Sequence, residues 1–132
     1  MLRTPFAALL AMAAATMLTG CSGGIGISDL DRAATETDGL PAGWTYPDSM
    51  DVEFIEESAR LAGAHDDSQL WLMRTSGGLC LVVYADGASD HWACSGGAPI
   101  TMGGPDSRFT VIPDDGVAPE GAVAISENVY AH

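Results

Sequence analysis

Positive charge is scarce in this chain. Five basic residues, all arginine, stand against 18 acids in 132 residues, for a net charge of −13 at pH 7. Beyond Cys21 the imbalance sharpens, because every acid lies there and only Arg32, Arg60, Arg74 and Arg108 oppose them. Such a field repels phosphate backbones and anionic headgroups, which excludes nucleic acid and anionic lipid as partners. Aromatic residues make up only 7% of the chain, so any core is small, and the length suits a single domain. Long apolar runs are missing too: the N-terminal run from Thr4 to Thr19 is about sixteen residues, short of the roughly 20 that cross ~30 Å of hydrocarbon. There is no Walker loop and no dinucleotide fingerprint. Ser22, Ser76 and Ser95 each precede Gly-Gly, which marks turns and not the G-x-S-x-G elbow of a serine hydrolase.

What is present begins at the N-terminus. Arg3 is followed by an uncharged Ala/Leu/Met-rich run, then by Leu18-Thr19-Gly20-Cys21 with small residues at Thr19 and Gly20. A basic start, a short apolar stretch and a small-residue cleavage site are the marks of a secretory signal peptide. The four-residue motif resembles the lipobox of bacterial lipoproteins. That resemblance implies removal of residues 1–20, lipidation of Cys21 with palmitate-type acyl chains, and a position on the extracytoplasmic side of a cell membrane. More than one acyl chain is implied, and since a single chain binds only marginally, the anchor is expected to be firm.

From Cys21 to about Pro47 the sequence reads as a flexible tether. Ser22-Gly23-Gly24, Ser28-Asp29-Leu30-Asp31 and Ala33-Ala34-Thr35-Glu36-Thr37-Asp38-Gly39 sustain neither strand nor helix periodicity. A flexible chain of this length spans roughly 25–30 Å, more than the ~8 Å screening length, and so would hold an acidic domain clear of the bilayer. Asp29-x-Asp31 is too short for a calcium loop, lacking its glycine and terminal glutamate. Pro41 and Pro47 bracket Trp44 and Tyr46, an extended boundary expected to lay an aromatic ring on the domain, 48–132.

Within that domain Asp48 or Ser49 is placed to cap a short helix, with Val52, Ile55 and Ala59 on one face and Asp51 and Glu53 at its positive end. From Ala59 the pattern changes to strands and turns. Arg60–His65 suits a first strand better than a helical extension. Asp66-Asp67-Ser68 is then a hairpin loop into 69–75, and Ser76-Gly77 or Gly77-Gly78 a two-residue turn into Leu79–Tyr84.

Cys80 and Cys94 are symmetric about Gly87, which sits in the turn-like Asp86-Gly87-Ala88-Ser89. A hairpin centred there sets Cys80 opposite Cys94, Val82 opposite Trp92 and Tyr84 opposite Asp90. Opposed cysteines in an antiparallel pair come close enough for a disulfide, which persists outside the cytoplasm. The same parity puts Trp71, Met73, Cys80, Val82, Tyr84, Trp92 and Cys94 on one face, and Leu70, Leu72, Leu79, Leu81 and Val83 on the other. Both faces are apolar, so both are expected to be covered.

After loop-rich Ser95–Asp106, strands are expected at 108–112, 122–125 and 128–130, with a turn at Pro113-Asp114-Asp115-Gly116. The order of Cys-bearing hairpin, Pro-Asp-x-Gly-Val turn (Pro113 to Val117) and closing Glu127-Asn128-Val129-Tyr130 resembles small secreted or membrane-tethered bacterial domains. The resemblance spans about Ala59 to Tyr130, and its motifs are structural and imply no activity. The expected fold is α+β but mainly β: a short N-terminal helix plus a small antiparallel sheet or partly open barrel, stapled by one disulfide.

Chemistry has few candidates. His65 beside Asp66-Asp67 and His91 after Asp90 have no ligand spacing that links them, so no metal is expected. Glu56-Glu57 and Asp114-Asp115 are adjacent pairs whose side chains diverge. No catalytic residue and no cofactor is assigned. The expectation is a non-enzymatic binding module for an envelope protein, peptide or small ligand. The alternative, a small envelope hydrolase or metal-dependent enzyme using His65 or His91, requires a concave pocket that gathers them with aspartates from another strand.

Overall fold

Three consecutive two-residue turns, at Asp66-Asp67, Ser76-Gly77 and Asp86-Gly87, generate the first sheet. In a computed structural model, which describes residues 26–103 and 107–132, β1 (Arg60–His65), β2 (Ser68–Thr75), β3 (Gly78–Ala85) and β4 (Ala88–Ser95) form an antiparallel meander in chain order. Ser76-Gly77 is the turn between β2 and β3, with Thr75 paired to Gly78. Between β3 and β4 the turn is Asp86-Gly87, and both residues have positive φ, 53° and 77°, as a tight hairpin turn requires. The expected register holds from Leu79 opposite Ser95 through Cys80 opposite Cys94 to Val83 opposite His91. It then shifts before Ala85, which pairs with Ala88. The expected pairing of Tyr84 falls within that shift, and the side chain of Asp90 lies outside the described residues. Cys80 and Cys94 form the disulfide.

The tail builds a second sheet. β5 (Ile100–Gly103), β6 (Arg108–Val111), β7 (Val123–Ala124) and β8 (Val129–Ala131) pair antiparallel in the order β5-β6-β8-β7. Ser95–Asp106 is thus not all loop, since β5 lies within it. Ile100 is buried against the core while Thr101 is exposed, an alternation too short to read beside so many glycines.

The two sheets share a core. Leu70, Leu72, Leu79, Leu81 and Val83 of the first pack with Ile100, Phe109, Val111, Val129 and Ala131 of the second. The molecule is therefore mainly β, as expected, but it is two small sheets facing one another, with very little helix. The helix expected over 48–59 does not form. Phe54 bridges to Thr75, Ile55 is extended, and only Glu56–Ser58 makes a 3₁₀ turn. Phe54 and Ile55 are claimed by contacts with the end of β2, including Ile55 N–H to the Arg74 carbonyl at 2.9 Å. Tertiary pairing overrides a weak helical period.

The described part of the stretch read as tether makes contacts with the sheets. Between residues 26 and 47, Ile27, Leu30, Asp38 and Trp44 pack on or bond to the strands. A single helical turn, α1 (Ser28–Asp31), buries Leu30, and with Ile27 it enters the shared core. The Arg32 guanidinium grips Asp38 through two 2.7 Å hydrogen bonds, and Asp38 also accepts the Leu61 amide at 2.8 Å. Arg32 beside Asp38 holds that carboxyl far below the usual carboxylate range. Further on, Leu40, Trp44 and Phe54 cover the outer face of the first sheet, against Trp71, Met73 and Val82. Trp44 meets Trp71 and Trp92 edge-on, with ring centroids 5.7 and 5.2 Å apart, and stacks on Tyr84. One expectation for this boundary holds: an aromatic ring is laid on the domain. Both apolar faces are covered, the inner by the second sheet and the outer by this strap.

Candidate ligand cleft

His65 ends β1 and Asp66-Asp67 make the turn into β2; Asp86 begins the turn after β3, and His91 stands opposite Val83. Antiparallel pairing brings both turns to one end of the first sheet. The β5–β6 end of the second sheet faces them with Met102 and Phe109. Together these residues line a cleft of about 350 Å³. Its floor is apolar, with Val83, Met102 and Phe109, and its rim carries Asp66, Asp67, Asp86, His65 and His91.

The Phe109 ring meets the His65 imidazole edge-on at 5.8 Å between centroids, which fixes how the histidine is presented. His65 Nε2 lies 3.5 Å from the Asp66 carboxylate, whose side chain is 80% exposed. At that separation and exposure the pair is weak, so His65 remains free to meet a ligand. Among the described residues no three His, Cys, Asp or Glu side chains are grouped to hold a metal ion. The arrangement offers carboxylate acceptors and two imidazoles above an apolar base, suited to a small molecule with a polar, hydrogen-bond-donating end.

The sequence-expected residues fall into three groups. Cys21, the lipidation site, lies outside the described residues. Cys80 and Cys94 are joined, with Cys80 fully buried and Met50 Sδ 3.6 Å from Cys94 Sγ. His65 and His91, 26 positions apart in the chain, line one cleft. Met102 and Phe109 were not legible as site residues, since nothing local sets them apart from core.

The carboxylates held below their ordinary range are explained by structural contacts instead. Arg32 does this for Asp38, and the Asn128 amide together with the Ser28 backbone does it for Asp114. Both acids fasten residues 26–47 to the domain. Tyr46 is raised by burial and by Glu56.

No protein-family model, curated protein or solved structure matches this chain.

Proposed function

We propose that the protein is a lipid-anchored, extracytoplasmic lipoprotein whose β domain is a non-catalytic binding module, with the cleft at the hairpin ends as its ligand site. Leu18-Thr19-Gly20-Cys21 supports the anchor, and the Cys80–Cys94 disulfide suits an oxidising compartment. The observation that carries the binding role is the cleft itself. Its volume lies within the range typical of small-molecule sites, roughly 300–1,000 Å³, and it combines an apolar floor with a few convergent polar groups. The ligand class is a small envelope component or a peptide end that presents a hydrogen-bond donor to Asp66, Asp67 or Asp86. NMR titration with a panel of amines, amino sugars and short peptides tests this. Shifts confined to Val83, His91, Met102 and Phe109 support the site, and shifts scattered elsewhere refute it.

One observation favours a second reading, a small hydrolase. The cleft is lined by His65, which lies 3.5 Å from Asp66, and by His91 and Asp86 of the other hairpin, residue types that general acid–base chemistry uses. Ester and amide hydrolysis by wild type that is lost in both His65→Ala and His91→Ala would establish it.

A further inference from the structure

The strap changes what the lipid anchor does to the domain. Gly26 is already fastened: its carbonyl accepts the Asp114 amide at 2.9 Å, and the Ser28 amide donates to Asp114 Oδ1 at 2.9 Å. Behind it, Asp29 and Asn128 are buried and bonded to each other. Only four residues, Ser22 to Ile25, therefore separate Gly26 from Cys21, a leash of five Cα–Cα steps. Fully extended, that leash reaches about 17 Å. A folded domain of about 100 residues has a radius of gyration near 13 Å and so measures about 34 Å across. The leash is half the width of what it holds. It cannot pass around the domain to bring the opposite end to the bilayer.

Which end is held follows from the ladders. The β6–β8 ladder, extended by backbone bonds at both ends, runs from Arg108 opposite His132 to Ile112 opposite Asn128, about 13 Å by strand rise. Phe109 at its first end lines the cleft, while Asn128 and Asp114 at the other receive the strap. The first sheet agrees. Arg32 bonds the Leu61 carbonyl and Arg74 pairs with Asp31, at the ends of β1 and β2 away from His65 and Ser68. The fastenings nearest the anchor, from Gly26 to Arg32, all sit at the end opposite the cleft, and only the later part of the strap, at Thr45, reaches the β3–β4 hairpin.

We infer that the short leash and the Asp29–Asn128–Asp114 fastening orient the domain on the membrane, with the loop from Pro113 to Gly121 toward the bilayer and the cleft opening away from it. This rests on acylation of Cys21. The cleft then samples ligands from the aqueous envelope space or an opposing surface, and not lipids of its own bilayer. Asp114, Asp115 and Glu120 face the headgroups, and the leash still allows more than the ~8 Å over which their repulsion acts at physiological salt.

Full-length protein processed in a bacterial host, extracted and reconstituted into phosphatidylcholine vesicles with rhodamine-headgroup lipid, tests the orientation. A donor dye is placed on an added thiol at Val117→Cys or at Asp67→Cys, both exposed positions at opposite ends. Energy transfer to the lipid acceptor is expected to be several-fold stronger from position 117. Inserting a twenty-residue Gly/Ser linker after Ser22, which touches no described contact, is expected to abolish the difference. Equal transfer from both positions without the linker overturns the orientation. Protein that carries no acyl mass and does not float with vesicles overturns the anchor instead, a different result read before any dye is attached.

Discussion

Asp29 and Asn128, 99 positions apart, bond reciprocally: the Asp29 amide donates to Asn128 Oδ1 at 2.9 Å, and the Asn128 amide donates to the Asp29 carboxylate at 3.1 Å. The Asn128 side-chain amide then donates to the Ile112 carbonyl and to Asp114, both at 2.9 Å. One fully buried side chain thereby ties α1, the strand end after β6 and the start of β8 into one unit. Asn128→Ala leaves the Asp29 amide and the Ile112 carbonyl buried without partners, at a cost of about 2–4 kcal/mol. Urea denaturation measures it, and a loss below about 0.5 kcal/mol, the range of neutral surface changes, would contradict the role given to Asn128.

The Cys80–Cys94 disulfide closes a loop of about 15 residues, worth roughly 3 kcal/mol on the chain-entropy model. Domains of this kind are stable by roughly 5–15 kcal/mol, so the bond is a large share of the total. The double variant Cys80→Ala/Cys94→Ala is expected to unfold at a markedly lower denaturant concentration than the oxidised protein. Equal midpoints would show that the sheet needs no staple.

Acid should release the strap. Asp38 has its folded pKa lowered, first by the hydrogen bonds from Arg32 and then by those from the Thr35 and Leu61 backbone. A lowered folded pKa means the unfolded chain binds the proton more readily, so the stabilisation is complete above the unfolded value, near pH 4, and is lost as pH falls below it toward the folded pKa. Asp114 shifts in the same direction and adds to the effect. Stability measured from pH 6 down to pH 2 is expected to fall steeply in wild type and less so in Asp38→Asn, which starts lower. Parallel curves would remove Asp38 from the account.

The strap also passes unusually close to the β3–β4 turn. A Cβ on Gly43 would stand 2.2 Å from the Gly87 carbonyl oxygen, whereas one on Gly77 would meet nothing within 4 Å. Gly43→Ala is therefore expected to destabilise by about 1–3 kcal/mol through overpacking, with Gly77→Ala near neutral. Thermal unfolding of the pair decides it; two equal melting points would mean that the strap does not lie where described.

These contrasts mark what the sequence makes legible. The four-stranded meander could be read because each turn announces itself: Asp-Asp, Ser-Gly and Asp-Gly separate apolar runs of strand length. The symmetry of Cys80 and Cys94 about Gly87 then supplied the register, and with it the division of Leu70 and Trp71 onto opposite faces. The second sheet was harder. Its strands are two to four residues long, and β5 lies among glycines and a proline that locally argue for loop. Of the strap, only the aromatic laid on the domain between Pro41 and Pro47 was legible. Ile27, Leu30, Leu40 and Trp44 are buried or half-buried at irregular intervals, because they fit surfaces made by strands far along the chain and not a helix or strand of their own. Polar composition suggested flexible chain, but Asp29 and Asp38 are buried acceptors with partners, and burial of that kind has no local signature. The cleft lies between these cases. His65 and His91 are visible singly, yet the cleft they line depends on two turns sharing an end and on Phe109 of the other sheet.

Acylation of Cys21 is the claim on which localisation and orientation both depend, and intact mass spectrometry of protein extracted from membranes tests it most directly. The expected mass is that of the chain beginning at Cys21 with its disulfide and added acyl groups, while Cys21→Ala retains residues 1–20 and carries no lipid. A wild-type mass equal to the unprocessed chain, or to a cleaved chain without lipid, would contradict it.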